Sequence, residues 1–418
     1  MHSVTNAIPT GTIASIPAKA HAHRALICAA LATSPSTILL SRTSKDIDAT
    51  MDSLRGLGAH VVYENKIVTV TPGPAPVKGN VVPHESGTTL RLLLPVAASI
   101  CNDVDVDAKG RLPDRPLEPM LGEMKAHGVT FSQDKPPFTM TGRLQGGNFS
   151  MVGDVSSQFF SGLLLAAPQI GLSTITSTTP LQSSDYVTLT TETMRDFGVE
   201  VEHTLPDTNI NEAFTVPFGA SFIGRDNYQI EGDWSNAAIW MVAAGMTGKP
   251  ITITGMNKNS VQADRRIMQV MIDAGCDVVW DGMNVTVTGR ASKPIHADLE
   301  QMPDMLPVMA ALACSISGES SFVKGARLRL KESDRLVAVA NLIRDFGGTV
   351  CEEGDDLYII GSGILKGGHG DCVNDHRLVM AGTLMALISE NPVTLQDSEA
   401  ITKSYPDFFE DWNLLGGD

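Results

Sequence analysis

An α/β fold in two domains, three similar units to each, is what the amino-acid sequence predicts, and three observations predict it. First, a short helix ending in glycine and followed by a β-rich stretch recurs along the chain, with its glycines at 58, 128, 198, 275, 347 and 416, a repeat spacing of about 70 residues. Second, a polar box followed by an apolar helix of about ten residues alternates with the first element, the boxes opening at Lys19, Glu85, Asp154, Asp233, Asp304 and Asp375. Third, the longest interval lies between Gly198 and Gly275, and the last helix runs out of chain, so its strand must come from elsewhere. The N-terminal stretch Thr12-Ile13-Ala14-Ser15-Ile16 is expected to supply it. One domain then holds both termini, 1–17 with 231–418, and the other is the inserted middle, 18–230, with the active site expected in the cleft between them.

Each element has a local reason. The six glycines suit the left-handed position that ends a helix, which other residues adopt at a cost. The helices after the boxes, such as residues 25–31 and 159–167, are apolar nearly all round and should be buried. Their N-termini present free N–H groups and a partial positive charge, a ready site for an anion.

Composition bounds the function. The 418 residues carry 31 Lys and Arg against 47 Asp and Glu, a formal charge of −16, which opposes general binding to nucleic acid or to an acidic membrane. Any bound anion must be held locally. No apolar run approaches the roughly 18 residues of a membrane span. The six cysteines show no Cys-x-x-Cys pair, so neither a disulfide framework nor a zinc cluster is indicated and a reducing compartment fits. Residues 25–32 after Arg24 imitate the core of a signal peptide, but they belong to the repeat. A cytoplasmic protein is expected.

Several boxes hold more cations and amides than helix capping requires. Box one places Lys19 and Arg24 a little over one turn apart. Box two, Glu85-Ser86-Gly87-Thr88-Thr89-Leu90-Arg91, combines a glycine, hydroxyls and an arginine, and is followed by the proline-stiffened Arg111-Leu112-Pro113-Asp114-Arg115-Pro116. Box three offers Ser156, Ser157 and Gln158, with Ser183, Ser184 and Tyr186 in the next polar turn. Box five begins at Asp304 and leads to Arg327 and Lys331-Glu332-Ser333-Asp334-Arg335; box six is Asn374-Asp375-His376-Arg377, with Lys403 beyond.

Taken in order from Lys19 to Lys403, these boxes resemble the enolpyruvyl transferase family that makes 5-enolpyruvylshikimate 3-phosphate from shikimate 3-phosphate and phosphoenolpyruvate. The resemblance implies a two-domain inside-out α/β barrel of six βαβαββ-like units, helices within and sheets without, closing on its ligands. It implies Asp304, Glu332 and Lys19 as the proton-transfer group. Lys19, Ala20, Arg24, Ser156, Ser157, Gln158, Ser183, Tyr186, Asp304, Arg327 and Lys331 would surround shikimate 3-phosphate. Lys19, Gly87, Arg115, Gln158, Arg335, Arg377 and Lys403 would hold phosphoenolpyruvate, with Gly87 keeping room beside it. No metal or organic cofactor is required, small-molecule substrates are the partners, and a monomer is expected.

The sequence departs from the family at Ala20, where a serine is usual, at Arg327 and Glu85, where asparagine occurs, and at Leu92, where some members have proline. The last two change the surroundings of Gly87, on which the response to glyphosate depends. A sister enzyme acting on a UDP-amino sugar would carry a cysteine on the Arg115 loop, and residues 111–119 contain none. A non-catalytic phosphometabolite binder would not need Asp304, Glu332 and Lys19 together.

Overall fold

The repeats share one arrangement, seen plainly in the stretch from 78 to 141 of the computed structural model, which describes residues 1–205 and 211–418. Strand Lys78–Val81 leads through the Gly87–Ile100 helix to strand Asp103–Val106, parallel to the first. The Met120–Ala126 helix then leads to a hairpin of Thr130–Phe131 and Phe138–Thr141, whose second strand pairs antiparallel with Asp103–Val106. Among the described residues the same strand order recurs in five four-stranded sheets, and a sixth sheet has three strands. The parallel step needs a crossover, and the buried helix supplies it.

The chain divides into two compact units, Met1–Ile16 with Glu231–Asp418 and Pro17–Ile230. Each is closed by a strand from far along the chain. In Pro17–Ile230, Tyr228–Gln229 pairs parallel with Ser36–Leu39 and so gives the first repeat its leading strand. In the other unit Gly11–Ala14 does the same for Ile251–Thr254. The last helix, Phe408–Leu414, is answered by His2–Val4, which pairs antiparallel with Val393–Gln396. This corrects the expectation that residues 12–16 serve the sixth repeat. Completing the sheets of this unit takes two N-terminal strands, a leading strand for the fourth repeat and a hairpin strand for the sixth, and the expectation counted only the second need.

All six helix-ending glycines have φ between +79° and +103°. At Gly58 the conformation is reinforced by contact, since a Cβ there would stand 2.3 Å from the Pro74 carbonyl oxygen. Strands alternate buried and less buried positions, as in Ile67–Thr71, where Val68 and Val70 face inward. The helices after the boxes are buried on nearly every side. Gly162 lets the Ser157–Ile170 helix approach the Gly87–Ile100 backbone closely, a Cβ there meeting the Arg91 carbonyl oxygen at 2.5 Å. In the other unit the Trp240 and Trp412 rings stack with centroids 5.8 Å apart, packing the last helix onto Trp234–Thr247. Each fully buried large apolar side chain contributes roughly 1.5–3 kcal/mol.

Candidate active site

In Pro17–Ile230 the polar boxes stand at the starts of three buried helices. Lys19 is the first residue of the Lys19–Ala30 helix, and Ala18 before it provides no side-chain cap. A lysine is disfavoured there by the helix dipole. It is held by Asp46, near the start of the Lys45–Gly56 helix, with Nζ 2.7 Å from Oδ2. Arg24, one turn on, points inward and is buried. Its Nε donates to Thr190 Oγ1 at 2.7 Å, Nη1 to the Ala20 carbonyl at 2.7 Å, and Nη2 to the Tyr186 carbonyl at 3.0 Å and Ser161 Oγ at 3.3 Å. Burial among these neutral acceptors lowers its pKa to about 10, which leaves it charged at neutral pH. Arg24 thus braces three helices, and it meets Ala20 and Tyr186 through their main chain.

Ser156 caps the Ser157–Ile170 helix, its Oγ accepting from the Gln158 N–H at 3.3 Å. The Gln158 amide is oriented from both ends. Its Oε1 accepts from Arg91 Nη1 at 3.0 Å, and its Nε2 donates to Thr88 Oγ1 at 2.8 Å. Arg91 also donates to the Pro116 carbonyl at 3.2 Å and lies over the Phe159 ring, tying box three to the Arg115 loop. Arg91 is not among the expected substrate ligands, although a lone cation inside Leu90-Arg91-Leu92-Leu93-Leu94 has to be paired if the helix is buried. Gly87 makes room for the Arg115 guanidinium: a Cβ there would stand 2.6 Å from Nη1. Ser183 is buried with φ +54°, a conformation that costs a non-glycine residue energy, and its carbonyl accepts from the Tyr186 N–H at 3.1 Å.

In the other unit one buried arginine gathers three carboxylates. Arg335 opens the Arg335–Asp345 helix. It donates from Nη1 to Asp304 at 2.6 Å, from Nη2 to Glu332 at 2.6 Å, and from Nε and Nη2 to the two oxygens of Asp375 at 2.7 and 3.2 Å. Burial alone would lower its pKa, but the charges of Asp375, Glu332 and Asp304 raise it, so it is charged throughout. Asp375 is itself fixed by Ser333 Oγ at 3.0 Å and caps the His376–Ala386 helix through the Arg377 N–H. Lys331 Nζ lies 3.0 Å from Asp304 Oδ1, and Arg377 Nη2 lies 3.8 Å from Asp304 Oδ2. Burial pushes the Asp304 pKa up, but Lys331, Arg377 and Arg335 outweigh it and hold the carboxyl well below its ordinary value. Burial lowers the Lys331 pKa, and the nearby charges of Arg335 and Arg327 add to that. Lys403 Nζ donates to the Asn374 carbonyl at 2.7 Å, beside box six.

The structure therefore gathers Asp304, Lys331, Glu332, Arg335 and Arg377 into one cluster, with Arg327 and Lys403 at its margins. Asp375 and Asp264 were not anticipated as members. Asp264 accepts from Ser235 Oγ, and burial together with the Asp304 charge raises its pKa to about 6. Asp375 was legible as the cap in its box, but its partnership with Arg335 joins residues 40 apart in sequence. Among the described residues no group of three or more His, Cys, Asp or Glu is arranged to hold a metal ion.

These side chains sit in a chain with close relatives. The family model described as EPSP synthase (3-phosphoshikimate 1-carboxyvinyltransferase) matches residues 7–412. A 3-phosphoshikimate 1-carboxyvinyltransferase of Clostridium kluyveri is 36% identical over 413 residues, covering 98% of this chain and 95% of the relative. One from Methanocorpusculum labreanum is 34% identical, covering 98% and 97%. Among solved structures, an EPSP synthase from Acinetobacter baumannii superposes with a TM-score of 0.80 at 23% identity, covering 99% of this chain and 98% of that one, which carries the fold. With the family model spanning nearly the whole chain and relatives above 30% identity end to end, the chain belongs to the EPSP synthase (3-phosphoshikimate 1-carboxyvinyltransferase) family.

Proposed function

We propose that this chain transfers the enolpyruvyl group of phosphoenolpyruvate to a hydroxyl of shikimate 3-phosphate and releases phosphate. The observation that carries the reading is the Arg335 cluster, in which two partly accessible carboxylates share one buried guanidinium and Asp304 also meets Lys331 and Arg377. The substrate hydroxyl adds to C2 of phosphoenolpyruvate while C3 takes a proton; the tetrahedral intermediate then loses phosphate and a C3 proton. Asp304, held ionised, is suited to accept the hydroxyl proton, and Glu332 exchanges the proton at C3. Lys19, assigned to both substrates, is suited to aid either transfer.

The cations do more than attract substrate. A phosphoenolpyruvate carboxylate that takes N–H groups of Arg335 and Arg377 competes with Asp304 and Glu332 for the same donors. Their proton affinity rises as they lose those partners, so binding primes both for transfer. In Pro17–Ile230, Ser156, Ser157, Ser183 and the helix-start N–H groups suit the shikimate phosphate, with Ala20, Arg24 and Tyr186 around the ring. Lys19, Arg115, Gln158 and Lys403 suit the phosphate of phosphoenolpyruvate. Arg327 and Lys331 carry charges suited to shikimate 3-phosphate. The reading carries with it a cytoplasmic monomer; among the described residues no helix is long and apolar enough to cross a membrane.

Phosphate release in the presence of both substrates tests the assignment. Asp304→Asn and Glu332→Gln should each lower kcat by roughly 10²-fold or more, as expected for loss of a proton-transfer group. Near-normal turnover in either variant removes that residue from the mechanism, and no release by the wild type removes the function.

A further inference from the structure

Beneath the Lys19–Asp46 ion pair runs a buried chain of hydroxyls that the reaction does not use. His23 Nδ1 lies 2.7 Å from Thr50 Oγ1, and Thr50 Oγ1 lies 2.7 Å from Thr89 Oγ1. Thr89 Oγ1 in turn donates toward Ser86 Oγ at 2.8 Å and the Asp46 carbonyl at 3.3 Å. His23, Thr50, Thr89 and Ser86 are all buried. They lie on three different segments: the Lys19–Ala30 helix, the Lys45–Gly56 helix, and the cap and first turn of the Gly87–Ile100 helix.

Proton accounting gives this chain a direction. The Asp46 carbonyl can only accept, so the Thr89 proton points toward it and Ser86. Thr50 must then donate to Thr89, which leaves the Thr50 oxygen to accept from His23. His23 is therefore the neutral tautomer with its proton on Nδ1. Its Nε2 is buried without a hydrogen-bond partner among the described residues, as an unprotonated nitrogen there. Burial, with help from the Lys19 and Arg24 charges, holds its pKa well below the ordinary value, so the ring stays uncharged.

We infer that His23 is a positioning residue for Lys19: it anchors the hydroxyl chain that fixes the Asp46 backbone and so aims the Asp46 carboxylate at the Lys19 ammonium. The same chain reaches Ser86, the residue before Gly87, and so locks box one against box two. A small rotation of the Lys45–Gly56 helix start would move the carboxylate away from the lysine, and such misplacement is costly where a charge must meet a reacting phosphate. The inference rests on the functional reading above, in which Lys19 contacts both substrates.

The test uses the whole 418-residue chain and three substitutions away from the substrates. His23→Leu removes the anchor, Thr50→Val breaks the next link at nearly constant volume, and His23→Asn places an amide N–H close to where Nδ1–H stood. With shikimate 3-phosphate and phosphoenolpyruvate, His23→Leu and Thr50→Val should each lower kcat/KM about tenfold or more, while His23→Asn stays within about threefold of wild type. Titration calorimetry with shikimate 3-phosphate then closes the cycle. The weakening caused by Thr50→Val should disappear in a Lys19→Ala background, because a residue that acts through Lys19 has nothing left to position. A wild type that turns over while Thr50→Val keeps full kcat/KM overturns the inference alone, as does an equal weakening in both backgrounds. A wild type that releases no phosphate overturns the functional reading and the role of His23 with it.

Discussion

Replacing Asp375 with asparagine removes one negative charge from an ion pair whose two side chains are 1% and 0% exposed, and changes almost no volume. The wild-type carboxylate accepts from Arg335 Nε, Arg335 Nη2, Ser333 Oγ and the Arg377 N–H. Asparagine offers one oxygen for these four donors. If that oxygen keeps capping the His376–Ala386 helix, the amide N–H groups face Arg335 Nε–H at hydrogen-bond distance, donor against donor. Breaking a buried pair by removing one partner costs about 3–5 kcal/mol, and the retained contacts of Arg335 with Asp304 and Glu332 favour the lower end. For a cooperative unit of 150–250 residues each kcal/mol is worth roughly 2–4 °C, so the transition of the unit holding Glu231–Asp418 should fall by about 6–12 °C. Scanning calorimetry reads this directly, with Ser333→Ala as a control that removes one hydroxyl donor and should cost about 1 kcal/mol. A fall of less than about 3 °C for Asp375→Asn would refute the idea that this pair locks Arg335.

Three further outcomes follow from other contacts. Gly87→Ala forces the Arg115 guanidinium aside, since its Nη1 lies 2.6 Å from the new methyl position; steady-state kinetics should show KM for phosphoenolpyruvate up by about tenfold with that for shikimate 3-phosphate little changed, and an unchanged KM would sink the link. Asp264 has a folded pKa raised to about 6 above an unfolded value near 3.9; the folded state therefore binds the extra proton, and stability falls as pH rises through that window. Asp264→Asn lacks this titration, so its melting temperature relative to wild type should climb between pH 4 and 6 and then level off, and a flat difference would show the raised pKa to be wrong. Ala20→Ser adds a hydroxyl beside the Arg24-bound carbonyl; a hydrogen bond to a charged group contributes roughly 1.5–3 kcal/mol, so shikimate 3-phosphate should bind about tenfold tighter by calorimetry, and equal affinities would leave Ala20 a neutral exchange.

What the sequence made legible was periodic. Glycines that end helices recur because each repeat needs a left-handed residue at the same place, and all six are found there. The buried helices show as long apolar runs because no face of them meets water. Strand closure was less legible: His2-Ser3-Val4 has only three residues and one buried side chain, too short for alternation to register. The charged boxes were legible as clusters, yet their internal pairing was not. Nothing in Lys331-Glu332-Ser333-Asp334-Arg335 says that Arg335 turns inward to Asp375 and Asp304, since that depends on two other loops arriving at the same helix start. Arg91 and Asp46 escaped for the same reason. Arg91 meets Gln158 from another repeat and Asp46 meets Lys19 from the next helix of its own repeat, and repeat periodicity carries no information on which side chains touch.

A protein with a formal charge of −16 that is to hold two phosphorylated acids must keep its cations both folded and available, and these demands conflict. A buried guanidinium without a counter-charge would be prohibitively costly, and one permanently paired would have little left for a substrate. The Arg335 cluster divides the task by exposure. The Asp375 side chain is 0% exposed and holds the Nε edge of Arg335, which no ligand need reach. The side chains of Asp304 and Glu332 are 18% and 24% exposed and hold the Nη1 and Nη2 atoms, where an incoming carboxylate can replace them. Permanent and exchangeable counter-charges are thus separated on one side chain. Neutralising Asp375 should therefore act first on stability, whereas neutralising Asp304 or Glu332 should act first on turnover, because in the proposed reaction only the exchangeable pair is released to substrate.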